Sequence, residues 1–293
     1  MPAASGKVYA QGATGKLARL DAATGKKEWE ADVVAAGGAL AQWGFAASPL
    51  VTDGLVIVYA GGGAGKGTLA VKADTGAVAW LGGNAKHGYS SAHPAAFGGV
   101  PQVLMVSDYG LESFAPADGR KLWEQAWPLR DVNRATQPTV LSDTDVLYGT
   151  GVGGEQGTRR LRVTRAGDNW DVTQVWASRA MKPYFNDGVA VGGHLYGFDD
   201  RAFSCVDLGN GQGRWRETVY GHGQVLGLPD QGLLLVQAVD GSVALVEAAP
   251  ADLTELARFP ALAGKTWNHP VIAHGHLYVR NGQEAACYRL PVR

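Results

Sequence analysis

Three histidines and one aspartate, His93, His222, His269 and Asp187, are the residues of this chain best suited to catalysis. Imidazole nitrogens and a carboxylate can together hold a divalent metal with one position left for water, or serve as general base and acid. Trp43, Tyr89, Asn133, Arg134, Gln137, Lys182, Asn186, Gln224, Trp267 and Asn268 bring the rings, amides and cations that would bind a ligand beside them. None of the four stands at the short spacing of a linear metal motif. They can act together only if the fold returns the same position again and again to one place.

The chain has such a repeat. Leu20 to Trp29, Leu-Asp-Ala-Ala-Thr-Gly-Lys-Lys-Glu-Trp, reads as a strand end, a tight turn and a second strand. Asp21 and Thr24 can bond nearby backbone amides, Gly25 supplies the positive φ of the reversal, and Trp29 enters a core. The pattern recurs at Ala73 to Gly76 before Trp80, at Ala117 to Gly119 before Trp123, and at Asp207 to Gly211 before Trp215. In each case Gly stands four residues ahead of Trp. Trp176 closes a looser unit whose turn region, Ala166 to Asp171, has lost the pattern. The interval, roughly 40–50 residues, is that of a four-stranded propeller blade.

Upstream of each turn lie an entry strand, a Gly-bearing turn and a strand rich in Val, Leu and Tyr, as in Ser48-Pro49-Leu50-Val51, Asp53-Gly54 and Leu55 to Ala60. Alternating apolar and small residues between such turns predict strands throughout. Seven units result, at 6–34, 41–84, 86–127, 133–178, 182–218, 220–260 and 264–293. The expected fold is an all-β propeller spanning 1–293 as one domain, with about seven four-stranded blades, the first and last incomplete. Open blades leave room for an oligomer contact. Trp29, Trp80, Trp123 and Trp215 are expected largely buried between blades.

The Leu-Asp-Ala-Ala-Thr-Gly hairpin with its Trp and the Ser-Pro-Leu-Val entry strand resemble the repeats of pyrroloquinoline quinone-type β-propellers. Trp43-Gly44-Phe45, Gly88-Tyr89-Ser90-Ser91, Asp131-Val132-Asn133, Tyr196-Gly197-Phe198-Asp199 and Leu277-Tyr278-Val279-Arg280-Asn281 extend the resemblance over the whole chain. That superfamily includes quinoprotein dehydrogenases and the propeller lipoprotein of the outer-membrane barrel assembly machinery, so the resemblance implies a fold and leaves the chemistry open. Quinoprotein alcohol dehydrogenases use a longer, eight-bladed propeller and a pair of adjacent cysteines near the quinone. Cys205 and Cys287 lie in different repeats, and no bound quinone is expected. Both cysteines are expected as small buried core residues without a disulfide.

Aligned on the repeat, Ser48, His93, Gln137, Asp187, Gln224 and His269 share one slot at the start of the innermost strand, and His222 stands just upstream. This slot rings the mouth of a propeller channel, where convergent polar groups with aromatic walls make a pocket. The nearby loops carry Lys86, His87, Arg130, Arg134, Arg179, Lys182 and Lys265, which would favour a small anionic ligand such as a carboxylate, sugar acid or phosphate. The leading expectation is a ligand- or protein-binding propeller. The alternative is a metal-assisted esterase or lactonase using His93, Asp187, His222 and His269, with those four as metal ligands.

Other function classes are set aside. Twenty-six basic against 27 acidic residues give a net charge of -1, so bulk charge does not point to nucleic acid. No window has the length of a membrane helix. Gly149-x-Gly151-x-x-Gly154 is followed by a strand-like run and not by a phosphate-binding helix. Gly61 to Gly67 lacks the Ser or Thr of a phosphate loop and reads as a hairpin loop. His274-Gly275-His276 is expected at the surface. Met1-Pro2-Ala3-Ala4 lacks the features of a secretion signal, and the natural form is expected in the periplasm or secreted.

Overall fold

The computed structural model describes residues 6–130, 132 and 134–291, and almost all of their regular structure is strand. The strands form seven antiparallel sheets in chain order. Blade 1 has Lys7–Gln11, Lys16–Asp21 and Lys27–Asp32; blade 2 has Leu50–Thr52, Leu55–Tyr59, Thr68–Lys72 and Val78–Gly82. Blade 3 has His93–Phe97, Val100–Val106, Gly110–Phe114 and Lys121–Ala126, and blade 4 has Thr139–Val140, Asp145–Thr150, Gly157–Ala166 and Asn169–Ser178. Blade 5 follows with Val189–Val191, His194–Asp199, Ala202–Asp207 and Gly213–Glu217, and blade 6 with Gln224–Leu228, Leu233–Gln237, Ser242–Glu247 and Glu255–Pro260. Blade 7 has Val271–Ala273, His276–Arg280 and Ala285–Arg289. Each sheet is a meander of neighbouring strands, the signature of a seven-bladed β-propeller. Blades 1 and 7 are three-stranded, as the repeat predicts.

The repeated turn owes its residues to two demands at once. Asp21 Oδ1 accepts from the Thr24 amide at 3.0 Å and the Thr24 hydroxyl at 2.8 Å, closing the reversal that Gly25 completes with φ +68°. The second demand comes from the preceding blade, whose Trp lies on the turn. Trp29 Nε1 donates to Ala73 O at 3.0 Å, Trp80 to Pro116 O at 2.8 Å, Trp176 to Leu208 O at 2.8 Å and Trp215 to Ala249 O at 2.9 Å. A Cβ on Gly76, Gly119 or Gly211 would meet Trp29, Trp80 or Trp176 at 2.8, 2.5 and 2.9 Å. Glycine is therefore required there by both backbone and packing.

Trp123 is the exception. Blade 4 lacks the turn pattern, and Trp123 Nε1 donates within its own blade, to Gln102 Oε1 at 2.7 Å, with its ring edge-on to Phe97. Trp80 and Trp123 are buried, whereas Trp29 and Trp215 are only partly so, a correction to the expectation of uniform burial.

The chain packs as two compact units. One runs through Tyr148 and takes in Val152–Gly154 and Leu161–Gln174; the other holds Gly149–Gly151, Glu155–Arg160 and Val175 onward. Their cores are apolar strand residues, such as Val56, Ile57, Val58, Leu69 and Val71 in the first, where the strand Leu55–Tyr59 is buried on both faces, and Tyr196, Phe198, Phe203, Leu234 and Val236 in the second. Burial pushes the Cys205 thiol up to about 11. Cys287 is exposed, against expectation. Gly61 to Gly67 forms the loop between two strands of blade 2, and the strand Gly157–Ala166 follows Gly154. His274 is exposed, with φ 49°.

Candidate functional site

In the second unit, three loops enter blades 5, 6 and 7, and two amides tie them together. Gln224, first residue of its blade, donates from Nε2 to Trp267 O at 3.0 Å and Phe185 O at 3.5 Å. Asn186 donates from Nδ2 to Gly223 O. Both side chains, expected as ligand contacts, are buried and tie the loops together.

On this frame stands a cluster of four rings. Phe185 and Trp267 lie 4.7 Å apart between centroids, Tyr184 and Phe185 5.5 Å, Phe185 and His222 6.0 Å, and Tyr184 and His222 6.3 Å. Tyr184 and Trp267 are 43% and 42% exposed, and the Lys265 ammonium lies 3.4 Å from the Trp267 ring centre, a cation–π contact. Phe185 was missed in the sequence. Its signal was the Tyr-Phe pair just before Asn186, in a loop position that the repeat leaves free.

The histidines of the second unit have different neighbours. His222 Nε2 lies 3.3 Å from Arg201 Nε and 3.7 Å from Asp200 Oδ1, while His269 Nε2 faces Asp187 Oδ2 at 3.5 Å. His93 opens blade 3 opposite Leu104. Among the described residues no three of His, Cys, Asp or Glu stand together as a metal site would need. Of His93, Asp187, His222 and His269, the residues Asp187 and His269 form a pair.

Two of the cations are committed to the fold. Lys182 pairs with buried Asp199, which also takes Arg216 Nε at 2.7 Å and the Lys182 amide at 3.0 Å. In the first unit Arg134 is fully buried. It donates to Ser107 O and, at 3.1 Å, to Trp127 O, with its guanidinium 4.9 Å from the Trp127 ring centre and 5.6 Å from that of Tyr148. Lys182 and Arg134, expected as ligand contacts, thus have partners within the fold. Lys86 and His87 border an open groove of about 400 Å³ that Leu40, Gln42, Gly61 and Gly62 also line.

Also in the first unit, Trp43 stacks on Tyr89 at 5.8 Å and 26°, and its amide donates to the Tyr89 hydroxyl at 3.2 Å. Trp43 is 70% exposed. Gln137 and Asn268 are half-buried near the starts of their blades, and Asn133 lies outside the described residues.

These sheets and loops can be set beside known proteins. The family model of the outer membrane protein assembly factor BamB matches residues 1–217. The chain belongs to that family. The crystal structure of BamB from Moraxella catarrhalis is similar over 96% of this chain and 78% of that one, at 15% identity and a TM-score of 0.68. Quinohemoprotein alcohol dehydrogenase from Comamonas testosteroni is similar over 94% of this chain and 61% of its own, at 13% identity and 0.60. The WD40 repeats of RRP9 match over 98% and 86%, at 12% identity and 0.59. At such identities these likenesses concern the fold alone. Comparison with curated proteins gives no match.

Proposed function

We propose that this chain is a protein-binding propeller that serves the assembly of outer membrane proteins from the periplasmic side of the envelope. The observation that carries the reading is the ring cluster of Tyr184, Phe185, His222 and Trp267, which presents two large aromatic side chains to solvent on loops braced by buried Asn186 and Gln224. Rigid, half-exposed aromatics are the usual anchors of protein interfaces. The assembly role rests on membership in the BamB family.

Among the described residues no helix is long and apolar enough to cross a membrane. A hydrolase draws no support from the geometry, because His222 and His269 face different partners and Lys182 and Arg134 are bound into the fold. For a small anionic ligand the Lys86–His87 groove is a candidate.

Photo-crosslinking tests the reading. A benzophenone side chain at position 184 or 267, introduced in cells with an outer membrane, should capture an outer membrane protein or a component of its assembly apparatus. The same side chain at Thr75, on an exposed blade turn, should not. Equal yields from all three positions would refute the proposal.

A further inference from the structure

In the first unit the glycine-rich segment 61–67 helps to build a groove that the ring cluster does not use. Leu40, Gln42, Gly61, Gly62, Lys86 and His87 line it, and its volume is about 400 Å³. The floor needs glycine. A Cβ on Gly62 would stand 2.4 Å from Gly37 O, and one on Gly61 would stand 2.7 Å from the Tyr59 hydroxyl. That hydroxyl is buried and donates to nothing among the described residues. Glycines also seat two lysines: a Cβ on Gly63 would come within 3.1 Å of the Lys86 stem, and one on Gly37 within 3.2 Å of the Lys66 stem.

The backbone amides around the groove are already paired. Gly61 N donates to Gly67 O at 3.1 Å, Gly62 N to Lys66 O at 2.9 Å and Gly63 N to Ala85 O at 2.9 Å. The Lys86 and His87 amides both donate to Asp108 Oδ1 at 2.9 Å. These amides cannot cradle a phosphate as a phosphate loop does, so recognition of an anion falls to side chains. Lys66 and Lys86 are exposed and enter no ion pair among the described residues. Next to Gln42, Trp43 rests one face on Tyr89, has its amide held by the Tyr89 hydroxyl, and is 70% exposed.

We propose that this groove binds an acidic saccharide, a pyranose ring lying on the Trp43 indole with its carboxylate paired to Lys86 and Lys66. A pyranose presents a flat C–H face of indole size and a rim of hydroxyls that the Gln42 amide can meet. An apolar peptide would leave two ammoniums unanswered, and a lone carboxylate would leave the indole bare. None of these residues belongs to the proposed protein contact, so either reading can fail without the other.

Titration calorimetry with trigalacturonate tests the proposal. The wild-type chain should bind it with a Kd of about 1 mM or tighter, and galactotriose, its neutral counterpart, about tenfold more weakly or worse. Trp43→Ala and Lys86→Met should each weaken binding by about tenfold or more and melt with wild type, because both side chains are exposed. Lys72→Met, which removes an exposed lysine of blade 2, should bind as wild type does. Lipopolysaccharide micelles distinguish the source of the sugar: displacement of the trimer assigns a lipid headgroup, and its absence a free sugar acid, with the site upheld in both cases. No binding of trigalacturonate, equal binding of galactotriose, or wild-type affinity in Trp43→Ala would overturn the proposal. Triglutamate binding as tightly as trigalacturonate would also overturn it, because the groove would then take acidic peptide.

Discussion

Gly25 and Gly119 occupy the same turn position with nearly the same backbone, φ +68° and +69°, and differ only in what lies above them. Gly25→Ala should cost about 1–2 kcal/mol for holding a side chain at positive φ. Gly119→Ala should cost about 1–3 kcal/mol more, because the new methyl meets Trp80 at 2.5 Å. Denaturant midpoints of the two variants measure the difference directly, and equal losses would mean that Trp80 does not rest on the turn. Trp80→Ala should cost about 3–5 kcal/mol.

Glu112, also a single residue with a measurable signature, is buried with its carboxylate accepting from the Asn84 amide at 2.9 Å and the Asn84 side chain at 3.1 Å. Burial holds its carboxyl above the usual range, the Asn84 amide working the other way. The folded protein therefore keeps this proton longer than the unfolded chain. That contribution is full below the ordinary carboxylate value, and stability is lost as pH rises until the folded group has ionised. Glu112→Gln should flatten the fall in urea midpoint measured upward from about pH 4.

At the scale of elements, the strands, turns and Trp anchors were legible because each is a local consequence of residue order. Asp-x-x-x-Gly closes a turn by itself, and alternation makes a strand. Trp123 shows the limit. Its orientation depends on the turn of blade 4, and it takes Gln102 because that turn has lost its pattern. The site was legible only in part for the same reason. The repeat located Trp267, Trp43 and Tyr89 in the entry loops, but it could not say that Lys182 would be neutralised by Asp199 or that Arg134 would be stacked on Trp127. Those pairings join segments that no local pattern links. The burial of Arg134 also yields a prediction. Arg134→Met keeps much of the bulk but strips a charged donor from Ser107 O, which keeps the Gly110 amide, and from Trp127 O, and should cost about 1–3 kcal/mol. An unchanged midpoint would place the guanidinium elsewhere.

For the molecule as a whole, the blades form a scaffold and the loops carry what is particular to this chain. The family is that of an outer membrane protein assembly factor, and the exposed rings of Tyr184 and Trp267 are the proposed point of contact. The most direct measurement is the yield of folded, protease-resistant outer membrane proteins in cells that lack this chain and receive it back in altered form. Wild type and His269→Ala should restore the yield equally, whereas Tyr184→Ala with Trp267→Ala should leave it near the level of the deleted strain although the protein is stable. Full restoration by the double variant, or loss caused by His269→Ala alone, would contradict the account.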